Sequence, residues 1–88
     1  MIAREYVDTV IHFDKEGNAL PVFLYINGKK YQCQKYGPIT REPKVGKNVW
    51  KYIVTTPLGL INLYREKDRW FIDKQFKINT LGPDAHDI

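Results

Sequence analysis

Cys33, His12, His86 and the carboxylates Glu66, Asp68 and Asp73 are the side chains that offer nucleophilic, metal-ligating or acid–base chemistry in this 88-residue chain. They do not form a set. The sequence contains no serine, which excludes a serine nucleophile. Cys33 follows Tyr31 on the inward side of a strand pattern, where a small thiol is packed rather than activated. Two separated histidines and one cysteine fall short of a zinc set. The glycines stand singly in turns, so no loop is built to cradle a phosphate. Glu66, Asp68 and Asp73 lie in and beside a charged turn, where carboxylates are ordinarily solvated. We expect no enzymatic activity and no metal or cofactor.

The chemistry that remains is binding. Net charge is +4, and the excess sits in one segment where Lys29, Lys30, Lys35, Arg41, Lys44, Lys47 and Lys51 face a single acid, Glu42. Such a concentration is a footprint for a polyanion, and it equally serves solubility and the protection of sheet edges. Aromatic residues lie beside it. Arg41, Lys44, Lys47 and Lys51 are candidate phosphate contacts, with Trp50, Tyr52 and Tyr64 as candidate stacking surfaces for nucleic acid. A different partner class is a protein, met through Phe23, Tyr25 and Gln32 or through a free strand edge, and a self-associating dimer belongs to that class.

The elements that position these residues are strands. β-branched and aromatic residues number 32, against 10 for alanine, leucine and methionine, which favours sheet over helix. Tyr6 to Phe13 alternates, with Val7, Thr9, Ile11 and Phe13 inward. Val22 to Ile26 and Lys29 to Gln34 flank Asn27-Gly28, whose two residues suit the positive φ of a two-residue hairpin turn. That turn pairs Ile26 with Lys29, Leu24 with Tyr31 and Val22 with Cys33. Ile39 to Val49, broken by Pro43 and Gly46, reads as one long loop.

A three-stranded meander runs from Trp50 to Ile72. The Pro57-Leu58-Gly59 turn is expected to place Thr56 opposite Leu60. On that register Ile53 joins Ile61, Leu63, Trp70 and Ile72 in the core, and Trp50, Tyr52, Tyr64 and Phe71 form an aromatic stripe on the opposite face. The stripe is either covered by the N-terminal strand or the long loop, or it is a binding face. Phe76 and Ile78 end a last strand, so residues 1–78 make one β domain and 79–88 a flexible tail.

Gly28-Lys29-Lys30-Tyr31, followed by Trp50 to Val54, Gly59 and Trp70, resembles a family of small bacterial β domains of unknown function. In that family a Gly-Lys/Arg-x-Tyr hairpin precedes a Trp-containing meander. The likeness covers residues 21–73 and implies a compact β fold, with no catalytic residue carried over.

The expected architecture is mainly β: a small bent antiparallel sheet of five or six strands closing into an SH3-like or partly open barrel. A sheet carrying one helix is the alternative. With a single cysteine, no apolar run long enough for a membrane span and no signal-peptide pattern, we expect a soluble cytoplasmic protein that does not engage membranes. Its function class is a non-catalytic binding module for nucleic acid or, alternatively, for protein.

Overall fold

A computed structural model describes residues 3–74. Its elements are seven strands: β1 (Arg4–Phe13), β2 (Ala19–Ile26), β3 (Lys29–Gln32), β4 (Lys35–Arg41), β5 (Val49–Thr56), β6 (Gly59–Glu66) and β7 (Arg69–Asp73). They form one antiparallel sheet in the order β3-β2-β1-β7-β6-β5-β4. The mainly β class holds, with seven strands in place of five or six. The expected strand end at Phe76 and Ile78, the 79–88 tail and His86 lie outside the described residues.

Two turns set their registers as the residue types dictate. Asn27 and Gly28 both have positive φ, 52° and 76°, and Ile26 pairs with Lys29, Leu24 with Tyr31 and Phe23 with Gln32. The Cys33 N–H donates to the Val22 carbonyl at 2.8 Å, which continues the ladder. At the other end Lys67 takes φ 57°, and Leu63 pairs with Ile72 and Tyr64 with Phe71.

The β5–β6 hairpin is one residue tighter than expected. Thr56 pairs with Gly59, not Leu60, so Val54 meets Ile61, Tyr52 meets Leu63 and Trp50 meets Arg65. The cause is the Thr56 hydroxyl. It accepts from the Leu58 N–H at 3.1 Å and donates to the Gly59 carbonyl at 3.0 Å, bracing a two-residue turn over Pro57-Leu58. Because side chains alternate with a period of two, this slip of one residue turns every β5 side chain to the other face. Tyr52 and Val54 therefore enter the core that Ile53 was expected to fill, and Ile53 is half-buried on the outer face.

The predicted long loop is also shorter. Its first residues belong to β4, where Ile39, Thr40 and Arg41 pair with Tyr52, Lys51 and Trp50. Gly37-Pro38 forms a bulge between Tyr36 and Ile39. β4 is an edge strand, so the missing Pro38 N–H costs no ladder bond. Glycine suits position 37 because a Cβ there would lie 3.2 Å from the Ile53 Cβ.

β3 and β4 are the two edges of the sheet yet are joined by only Cys33-Gln34. Cys33 is bonded to Val22 of β2, and the next residue, Gln34, donates to the Thr55 carbonyl of β5 at 2.7 Å. The Tyr36 hydroxyl spans the same gap by donating to the Pro21 carbonyl. This short link and the Tyr36 bond draw the two edges of the sheet toward each other, so the sheet curls into a half-barrel. β1 contributes to the curl by pairing with β7 only over Arg4–Val7 and with β2 from Asp8 onward.

The inner face is the main core: Leu24, Ile26, Tyr52, Val54, Ile61, Leu63, Trp70 and Ile72, with Ala19 and Cys33. Each large apolar side chain buried here contributes about 1.5–3 kcal/mol. Val7 and Ile11 of β1 pack against this core as expected, while Phe13, at the strand end, is 62% exposed. A second cluster on the outer face unites Val49, Tyr64 and Phe71 under Val45.

Candidate nucleic-acid interface

At the open end of the half-barrel the inner face carries a row of alternating arginine and tryptophan. The pairings Arg41–Trp50, Trp50–Arg65 and Arg65–Trp70 place these residues side by side on β4, β5, β6 and β7. The Arg41 guanidinium lies 5.4 Å from the Trp50 ring centre, and that of Arg65 lies 5.6 Å from the Trp70 ring. Both distances are within cation–π range. Trp70 is buried, whereas Trp50 is 40% exposed. A cleft of about 210 Å³ opens beside Trp50, walled by Ile39, Asn18 and Arg65 with Tyr52 below.

Backbone contacts hold the row in place. Arg41 Nη2 donates to the Lys47 carbonyl at 3.0 Å, tying the row to the basic loop. Arg65 Nε donates to the Lys67 carbonyl at 2.8 Å. On the facing wall, Asp14 accepts from the Glu16 and Asn18 N–H groups and from Asn18 Nδ2 at 2.8–3.0 Å, fixing the turn that carries Gly17 and Asn18. These bonds hold the Asp14 carboxyl below its ordinary pKa, with the Asn18 side-chain bond the largest cause.

The predicted binding residues divide among three places. Arg41 and Trp50 meet at the barrel mouth, and Lys44 and Lys47 are exposed on the adjoining loop. Tyr52 is 5% exposed, packed on Trp70 with ring centres 5.0 Å apart. Tyr64 is 7% exposed and stacks on Phe71 at 5.4 Å, on the opposite side of the sheet from Trp50. Lys51 also points outward and pairs with Glu42 at 3.4 Å. The single aromatic stripe is therefore split by the register of β5: Trp50 and Tyr52 face inward, Tyr64 and Phe71 outward.

The outer aromatics are covered by the loop and the N-terminal strand. Residues 42–48 fold back through bonds from the Val45 and Gly46 N–H groups to the Glu42 carbonyl. Arg4 of β1 clasps them, donating to the Val45 carbonyl at 3.2 Å and to Glu66 at 2.8 Å, with its guanidinium 4.4 Å over the Phe71 ring. The hydrogen bond from Arg4 holds the Glu66 carboxyl below its ordinary pKa. Burial raises the pKa of the Tyr64 hydroxyl, and the nearby Glu42 and Asp73 add to the shift.

Phe23, Tyr25 and Gln32 lie elsewhere, on the outer side of β2–β3. Phe23 and Tyr25 are half-buried, and the Lys30 ammonium sits 4.1 Å over the Phe23 ring. Cys33 is buried, and desolvation pushes its thiol up to about 11, which keeps it protonated near neutrality. Among the described residues no three metal-ligating side chains cluster, and no helix is long and apolar enough to cross a membrane.

Sequence reasoning missed Arg65, Ile39 and Phe13 as members of the mouth. Pairing Arg65 with Trp70 follows from the Lys67-Asp68 turn, but the neighbour Trp50 appears only when the β5–β6 turn is counted as two residues. No protein-family model, curated protein or solved structure matches the chain.

Proposed function

We propose that this chain is a non-catalytic module that binds nucleic acid at the mouth of its half-barrel. The observation that carries this reading is Trp50, which is partly exposed and flanked by Arg41 and Arg65 across the sheet. An aromatic plane gives a sequence-tolerant stacking surface, and the neighbouring cations compensate phosphate charge. Tyr52 lines the same cleft while packing on Trp70, and Tyr64 and Lys51 belong to the covered side and act on stability. The curl of the sheet and the two-residue link between its edge strands support an SH3-like small barrel of the kind that the resemblance to bacterial β domains implies. A soluble cytoplasmic setting is part of this proposal.

Anisotropy titration of labelled single-stranded and duplex DNA and RNA over a salt series tests it. Binding should weaken steeply with salt, with a log–log slope of about −0.7 per phosphate contact on a single strand. Trp50→Ala should remove most of it. Absence of binding at low salt, or binding indifferent to salt, overturns the reading and favours a protein partner at Phe23, Tyr25 and Gln32.

A further inference from the structure

The mouth holds a second cleft, of about 260 Å³, lined by Ile11, Phe13, Asp68 and Trp70. It shares Ala19 and Arg65 with the cleft beside Trp50, so the two adjoin across one arginine. Each has one exposed aromatic at its wall, Trp50 in the first and Phe13 in the second, with the buried Tyr52 and Trp70 forming the floors. Arg65 is anchored through Nε to the Lys67 carbonyl, and no hydrogen bond among the described residues uses its two Nη groups. Aromatic cleft, guanidinium, aromatic cleft is the order in which a single strand presents base, phosphate, base.

The two clefts differ in their polar groups. The first offers the Asn18 side chain, an amide that both donates and accepts. The second offers the Asp68 carboxylate, which only accepts when ionised. A carboxylate repels phosphate but suits a base edge carrying an amino group, as cytosine N4 does.

Building on the nucleic-acid reading above, we propose that the mouth binds a two-nucleotide step of a single strand. One base sits in each cleft, Arg65 holds the phosphate between them, and Asp68 selects an amino-bearing base such as cytosine in the second. A duplex does not fit this mode, because its bases are paired and stacked and cannot enter the clefts.

Labelled oligo(dC) and oligo(dT) of equal length, titrated against the native chain, Arg65→Gln, Arg65→Lys and Asp68→Asn, test the proposal. Circular dichroism melts identify any variant that fails to fold. The native chain should prefer dC by about tenfold, within the range of one good polar base contact. Arg65→Gln should weaken both ligands and lower the salt slope by about one phosphate contact, and Arg65→Lys should restore the slope. Asp68→Asn, on an exposed turn, should fold normally and lose the dC preference while holding dT within about twofold. Equal native affinity for dC and dT, or an unchanged preference in Asp68→Asn, overturns the proposal. So does Arg65→Gln binding with native affinity and slope. If such binding is still lost on Trp50→Ala, the two-base mode fails while nucleic-acid binding at the mouth stands. No binding of either oligonucleotide at low salt overturns both.

Discussion

The two sides of the sheet carry nearly the same chemistry and use it differently. Outside, Tyr64 and Phe71 stack beneath an arginine, Arg4, and are sealed by Val45 of the loop. Inside the mouth, Trp50 lies beside an arginine, Arg41, and stays open to solvent. What separates them is the destination of the loop. The turn at residues 42–48 folds outward onto Phe71, and nothing described folds back over Trp50. An aromatic beside a cation is thus a packing device where the chain covers it and, under the proposed function, a binding device where the chain does not.

The largest effects should come from removing aromatics on the sealed sides. Trp70→Ala empties the inner core and Phe71→Ala the outer cluster, and both residues are almost wholly buried. Each should cost about 3–5 kcal/mol in denaturant unfolding. A loss below about 1 kcal/mol for Phe71→Ala would mean that the outer cluster is no core.

Gly46→Ala tests the loop seal at smaller cost. A Cβ at that position would lie 2.6 Å from Val49 Cγ2 and 3.0 Å from Arg4 Nη2. Val49 is fully buried and cannot yield freely, so a loss of about 1–3 kcal/mol is expected from overpacking. Oligonucleotide affinity per folded molecule should stay near native, because the seal lies on the far side of the sheet from Trp50.

The Arg4 clasp is smaller again and depends on pH. Because Arg4 lowers the folded-state pKa of Glu66, its stabilisation is present above the ordinary carboxylate range and is lost as pH falls through the folded pKa. Melting temperatures of the native protein and Glu66→Gln should differ modestly near neutrality and converge in acid. A gap that widens in acid would contradict the pair as described.

Much of the fold was legible because local chemistry agreed with it. Asn27-Gly28 and Lys67-Asp68 each set a register that the structure keeps. Two devices escaped because they depend on partners distant in sequence or on a side chain acting as backbone. Pro38 reads as a strand breaker until β4 is known to be an edge, which only the whole topology reveals. The Thr56 hydroxyl shortens its hairpin by bonding backbone groups, and no alternation pattern signals that. The second miss had the wider consequence, since one residue of slip moved Tyr52 into the core and brought Arg65 beside Trp50. The basic segment and Trp50 were visible as candidates, whereas the covering of Tyr64 needed the fold of the loop.

The most direct test of the account compares Trp50→Ala with Tyr64→Ala, each followed by a melt and by titration with a labelled single-stranded oligonucleotide at low salt. Trp50→Ala should keep its stability within about 1 kcal/mol and lose binding by about tenfold or more, as expected when a stacking surface is removed. Tyr64→Ala should do the reverse, unfolding far more readily while its folded fraction binds as the native chain does. Native-like binding by Trp50→Ala would contradict the assignment of the open mouth as the binding surface.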